Sequence, residues 1–250
     1  MVNDKFPNRS KVILSVFRVL SGVNPECQID FHPKGLNIVS IDENFRCMAI
    51  VHISSKFFSN WKVRKSYRIK TNIDLLKKIF SYKPIIKHIR SRTDDVIEVS
   101  FSGPVNASLM LNVTEIEKRN RTVPAFSKKM KLLSLKLPSS RDFANFLKIS
   151  LSAFDDLHFI LDSNGNLQLC TKFLDYTLVK RIAISNFKRE TPTISFSIPM
   201  RYASLLLPLL GLVDKLRLDL IRNNLCVFTM GKKGFFQIKL ILSSKINDHG

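Results

Sequence analysis

The sequence is poor in nearly everything that would mark a secreted protein, a membrane protein or a common type of enzyme. Its four cysteines, Cys27, Cys47, Cys170 and Cys226, stand singly in strand-like runs with no CxxC pair. Neither a disulfide framework nor a zinc site is built from such spacing, so they read as reduced core residues in an intracellular protein. The five histidines show no ligand spacing either. The longest apolar run, 202–213, covers 12 residues and contains Pro208 and Gly211. A membrane helix needs about 20 apolar residues, so no membrane contact is expected. Residues 1–10 are polar and charged, unlike a signal peptide.

Catalytic patterns are missing as well. The chain has no nucleophile elbow and no His/Glu metal pair, and Met230-Gly231-Lys232-Lys233-Gly234 lacks the spacing of a phosphate-binding loop. Asp94-Asp95 and Asp155-Asp156 fall in turn-like stretches, where Asp is favoured for backbone reasons. Adjacent side chains on an extended chain also point apart, which suits two-metal chemistry poorly. No catalytic residue, metal or cofactor is expected. Acid itself is scarce: 20 Asp and Glu face 40 Lys and Arg, a formal charge of +20. Such a field draws polyanions, and inside a cell the first of these is nucleic acid.

What the sequence does hold is a doubling. A helix, a strand, a turn reaching Gly35, and two more strands occupy 17–53, and the same order returns over 146–184 around Gly165. The segment 73–101 is matched in the same way by 205–229. A repeat this long is a duplicated domain. The reading is α+β: an N-terminal domain at 1–113, a connector at 114–129 that is charged and broken by Pro124, and a C-terminal domain at 130–250. Four amphipathic helices are predicted, over 10–20, from Asn72 to before Pro84, from Pro138-Ser139-Ser140 onward, and over 199–210. Gly22 is expected to end the first, and Pro199 to open the fourth. Asn164-Gly165 and Asn223-Asn224 read as two-residue hairpin turns. In every helix the exposed stripe is basic: Lys11 and Arg18, Lys77 and Lys78, Arg141 and Lys148, then Arg201, diluted by Asp74 and Asp142.

Two helices on an antiparallel sheet, repeated, with basic helices, resembles the DNA sliding-clamp superfamily. The run Gly35-Leu36-Asn37-Ile38-Val39-Ser40-Ile41-Asp42 is similar to the early strand and turn of proliferating cell nuclear antigen, and 242–248 is similar to its closing segment. Asn44-Phe45-Arg46-Cys47-Met48-Ala49, then Ser55-Lys56-Phe57-Phe58-Ser59-Asn60-Trp61 and Tyr67-Arg68-Ile69-Lys70, resemble the Rad-nine subunit of the nine-one-one checkpoint clamp.

That resemblance implies two tandem clamp domains forming a third of a six-domain ring around double-stranded DNA, with the helices lining the hole. Lys11, Arg18, Lys77, Lys78, Arg141, Lys148 and Arg201 would then meet phosphates without reading bases. Ring closure would use edge strands, through Asn106, Leu109, Leu111 and Val113 in the first half and Leu178, Lys180, Ile182 and Ile184 in the second. Ile41, Val123, Phe126 and Ile246 would form the pocket for partner peptides. The implied partners are two other clamp subunits, a clamp loader, and repair and checkpoint proteins, in the nucleus. A heterotrimer is favoured, with a homotrimeric polymerase processivity factor as the alternative. A second alternative, a 3'-5' exonuclease, enters because such activity has been attributed to some Rad-nine proteins.

Overall fold

The computed structural model describes residues 9–103, 106–116, 131–137, 140–151, 154–173, 176–183, 193–213, 215–221 and 224–246. The chain forms two compact units, one of residues 1–125 with 231–239, the other of residues 126–230 with 240–250. Each is taken by itself.

The first unit opens with helix α1 (Arg9–Val23), whose buried face is Val12, Ile13, Val16, Phe17, Val19 and Leu20. Gly22 does not stop the helix; it runs one residue further, and Asn24 N–H closes the last turn on Leu20 C=O at 2.9 Å. Strands β1 (Glu26–His32), β2 (Gly35–Ile41) and β3 (Cys47–Ser54) follow as an antiparallel meander. After β4 (Trp61–Lys62), β5 (Tyr67–Asn72) returns to pair with β1, placing Arg68 opposite Asp30 with an N···O distance of 2.8 Å. Helix α2 (Ile73–Ser81) is capped by the Asn72 side chain, which accepts from Asp74 N–H at 2.9 Å. Pro84 cannot continue it. Strands β6 (Ile85–Ser91), β7 (Val96–Ser102) and β8 (Ala107–Asn112) form a second antiparallel set, and β9 (Glu115–Ile116), inside the stretch read as connector, adds to β5.

The second unit repeats this connectivity. After β10 (Lys131–Leu137) and α3 (Ser140–Ser150) come β11 (Asp156–Leu161), β12 (Asn166–Phe173), β13 (Tyr176–Ala183) and β14 (Ile194–Pro199). Strand β11 lies between β12 and β14, as β1 lies between β2 and β5. In chain order, strands β15 (Lys215–Ile221), β16 (Leu225–Lys232) and β17 (Phe236–Ser243) correspond to β6, β7 and β8, although residues 231–239 of the β16–β17 hairpin belong to the first unit, and β18 (Lys245–Ile246) joins β14 as β9 joins β5. The duplication therefore extends from the order of elements to strand pairing.

Further local expectations are corrected. The fourth helix is not continuous: α4 (Met200–Ala203) gives way to a 3-10 turn at Ser204–Leu206 and then α5 (Leu207–Leu210). Pro208 has no N–H for Ser204 C=O, and its ring crowds that carbonyl, so the α pattern cannot pass through. Pro199 ends β14 and is the N-cap of α4, one residue before the first helical position. The hairpin at Gly165 has a three-residue loop, not two. Asp162 closes it by accepting Asn164 and Asn166 N–H at 2.9 and 2.8 Å, and Gly165 takes φ +81°. Asn224 adopts φ +59°, while Asn223 lies outside the described residues.

Each core is a wedge of aromatic rings between helices and sheet. Phe17 meets Phe80 edge-on at 5.2 Å, and Phe80 meets Phe101 at 5.5 Å. In the second unit Phe159 stacks on Phe196 at 4.7 Å, beneath Phe143 and Phe228. Burying each such ring stabilises the fold by about 1.5–3 kcal/mol. All four cysteines are buried and none is in a disulfide, and burial pushes the Cys27 thiol up to about 12. The aromatic pair of the Rad-nine-like run also packs inward: Phe57 and Phe58 are buried, and Trp61 stacks on Phe58 and Phe31.

Gly35 tests the architecture. At φ +142° it sits where a Cβ would lie 2.1 Å from the Ile53 carbonyl oxygen. Gly35→Ala should cost about 3 kcal/mol or more, read as a lowered urea midpoint, because the clash is with sheet backbone that cannot yield.

Candidate nucleic-acid interface

With their apolar stripes turned to the sheets, α1 and α2 pack side by side and leave Lys11, Arg18 and Lys78 exposed and Lys77 half-buried. These four are not equivalent. Lys77 Nζ donates to Ser21 Oγ at 2.8 Å and pairs with Asp74, so it ties the two helices together. Asp74 responds: its carboxyl is held below the usual range, first by the Lys77 hydrogen bond and then by that from Ser21. Among the described residues no carboxylate lies within ion-pair distance of Lys11, Arg18 or Lys78. On α3, Arg141 and Lys148 are likewise exposed on the side away from Phe143, Phe146 and Leu147. Arg201 is engaged: it donates to Tyr202 Oη at 2.7 Å and lies over that ring at 4.5 Å. Of the seven predicted cations, those with no ion-pair partner among the described residues are thus Lys11, Arg18, Lys78, Arg141 and Lys148.

The residues read as subunit edges lie on strands at sheet edges. Strand β8 closes the series β4-β6-β7-β8, and β13 closes β13-β12-β11-β14-β18. On or beside β8, Asn106 is exposed, Leu109 and Val113 are half-buried, and Leu111 is buried. On β13, Leu178 is half-buried, Lys180 exposed and Ile182 buried, and Ile184 lies outside the described residues. Behind β8 the buried Glu98 collects Arg90 at 2.8 Å, Ser100 at 3.0 Å and Ser108 at 3.2 Å. Its carboxyl falls from 4.5 to about 2, chiefly because Arg90 donates to the ionised form; burial pushes the other way and loses.

Of the pocket residues, Ile41 lines a concavity of about 740 Å³ on the outer face of β1, β2, β3 and β5. Val123 and Phe126 lie outside the described residues, and Ile246 is in β18 with its side chain undescribed. The concavity also takes in the half-buried Val39 and Met48 and the buried Ile50. Beside it the β2–β3 turn presents Phe45, 83% exposed and at φ +55°. Asp42 fixes that turn: its C=O accepts Phe45 N–H at 3.0 Å and its carboxylate accepts Cys47 N–H at 2.7 Å. Sequence reasoning missed Phe45 as a surface feature, although a phenylalanine inside the polar run Asp42-Glu43-Asn44-Phe45-Arg46 was a visible signal. At the far end of the same face the His32 and His52 rings stack at 6.0 Å, and burial lowers both pKa values.

Asp94 is ion-paired with Lys65 at 3.0 Å. Among the described residues no three His, Cys, Asp or Glu side chains are grouped to hold a metal ion, and no helix is long and apolar enough to cross a membrane.

The architecture so assembled is PCNA-like, a mixed α+β fold of mostly antiparallel sheet with few helices. The chain matches a chain in the structure of the C-terminal region of FEN-1 bound to A. fulgidus PCNA, with a TM-score of 0.76 over 96% of this chain and 97% of that one. Identity is 18%, so the likeness shows the fold. No protein-family model and no curated protein matches the chain.

The Glu98 cluster yields a pH test. Because the folded-state pKa of about 2 lies below the ordinary 4.5, the stabilisation is complete above pH 4.5 and is lost as pH falls through 2. Glu98→Gln should lower the unfolding midpoint at neutral pH, and its deficit against wild type should shrink steadily as the pH drops from 4.5 to 2.

Proposed function

We propose that this protein is one subunit of a ring-shaped DNA clamp that encircles duplex DNA without reading its sequence. The observation that carries this is a PCNA-like fold in which helices of both units expose cations that no described carboxylate neutralises. Lys11, Arg18, Lys78, Arg141 and Lys148 would face phosphates, while Lys77 and Arg201 contribute less because Asp74 and Tyr202 already engage them. Contacts of this kind hold DNA loosely and permit sliding.

The checkpoint type is preferred to the replicative homotrimer, on the Rad-nine-like runs at 44–49 and 55–61. In this reading the chain works in the nucleus with two other subunits. A clamp loader places the ring, and the ring recruits signalling and repair proteins. It acts as a platform and not as a nuclease; the engagement of Asp94 by Lys65 supports that role. Clients would dock on the face of Ile41, Val39 and Met48, with Phe45 as an apolar anchor. A non-glycine residue at positive φ costs of order 1–3 kcal/mol, and an exposed ring recovers little of it within the chain.

Two measurements test the reading. Arg18→Glu with Lys78→Glu should cut retention on circular DNA and flatten the salt dependence by about 0.9 log unit for each phosphate no longer neutralised; the Lys77→Glu change alone should do less. Unchanged retention in the double variant would defeat helix-lined binding. Phe45→Gly should leave stability unchanged or raise it by up to about 1 kcal/mol, by relieving the positive φ. The same variant should weaken binding of a FEN-1 C-terminal peptide in calorimetry.

A further inference from the structure

Helix α2 ends in an exposed run where apolar and basic side chains are interleaved. Leu75, Lys78 and Tyr82 stand three and four residues apart, so they share one stripe of the helix and its C-cap. Leu75 is 56% and Tyr82 68% exposed, with the exposed Lys78 between them. Past the helix the chain continues through Lys83, Ile85 and Lys87, all exposed. The backbone beneath this run is fixed. Phe80 is held edge-on between Phe17 and Phe101. Tyr82 N–H donates to Ile79 C=O at 3.3 Å and Lys83 N–H to Phe80 C=O at 3.0 Å, while the Ser10 hydroxyl of α1 donates to Pro84 C=O. Lys83 takes φ +52°, the left-handed position after a helix that glycine usually fills. Among the described residues no carboxylate pairs with Lys78, Lys83 or Lys87, and no ring stacks on Tyr82. The second unit has nothing like it: α5 is capped by Gly211, and Tyr202 is buried and bonded to Arg201. The duplicated fold does not itself require an exposed ring here.

We infer that this end of α2 binds single-stranded DNA, with an unpaired base stacked on the Tyr82 ring and Lys78 and Lys83 neutralising the flanking phosphates. The inference goes beyond the duplex-encircling reading, in which no side chain meets a base, and the two share only Lys78. A base inside a duplex already has both faces stacked, so an exposed ring gains nothing from it. An unpaired base offers a free face, and stacking on an aromatic side chain tolerates any sequence. Taken singly, each residue has an ordinary explanation. A lysine suits the negative end of a helix, and one exposed ring is normal on a protein surface. Together they supply what a single strand needs: cations one turn before and immediately after a π-face, held on a backbone that is already ordered. An acidic peptide would satisfy the lysines and leave the ring idle. Leu75 and Ile85 extend the apolar surface on either side of the tyrosine along the chain.

The test uses the whole chain and a single strand of about 12 thymidines carrying a central fluorescent adenine analogue, whose emission falls on stacking. Wild type should quench it. Tyr82→Phe should bind and quench as wild type does, whereas Tyr82→Ala should bind about tenfold more weakly and lose the quench. The ring carries no charge, so Tyr82→Ala should leave the salt slope unchanged, while Lys83→Gln should flatten it by about 0.7 log unit. A strand of abasic sites keeps the phosphates and removes the bases, and wild type and Tyr82→Ala should bind it equally. Retention of Tyr82→Ala on circular duplex should match wild type. Equal binding of Tyr82→Ala and wild type to the thymidine strand would overturn the inference. So would an equal loss on the abasic strand or on duplex, or displacement by polyglutamate as readily as by unlabelled strand. If the Arg18/Lys78 variant keeps its duplex retention while the Tyr82 variants behave as stated, the clamp reading falls and this inference stands.

Discussion

One-sided burial governs this molecule. A sheet that packs helices on one face leaves those helices only one direction for their apolar stripes, and their charged residues must point the other way. Phe17 and Phe80 drive α1 and α2 down together onto the sheet and Phe101. Phe143, Phe146 and Leu147 do the same for α3. The cationic surface is thus the complement of the core. Lys11, Arg18, Lys78, Arg141 and Lys148 are exposed because Val12, Val16, Leu76, Phe143 and Leu147 are not.

Within that surface, neighbours decide which charges stay available. Lys77 and Lys78 are adjacent on one helix, yet one is bound to Asp74 and Ser21 and the other meets solvent. Arg201 matches its counterparts by charge, but the Tyr202 ring occupies it. The edges show the same principle. Glu98 on the neighbouring strand β7 has its charge saturated, so that edge behaves as neutral, whereas β13 keeps two cations and an apolar side chain in the open.

Much of the fold was legible because periodicity and punctuation are local. The alternation in β1, β2, β11 and β12, the Asn72 cap and the repeat about Gly35 and Gly165 each depend on a few neighbouring residues. Two misreadings came from a side chain acting on nearby backbone. Pro208 acts on a carbonyl one turn back, so a run of apolar residues concealed a broken helix. Asp162 pulls two amides onto its carboxylate and changes a two-residue turn into three.

The order of residues alone determined the duplicated α+β pattern, the excess of cations and which helix face carries them, because spacing along a chain dictates what shares a face. Tertiary structure decided which cations remain unpaired, that Phe45 stands out at a fixed turn, and that β8 and β13 are edges of unlike character. Those properties depend on which distant strands pair and which side chains meet across tens of residues, as Ser21 meets Lys77 and Arg68 meets Asp30. Such long-range contacts leave no periodic trace in the chain.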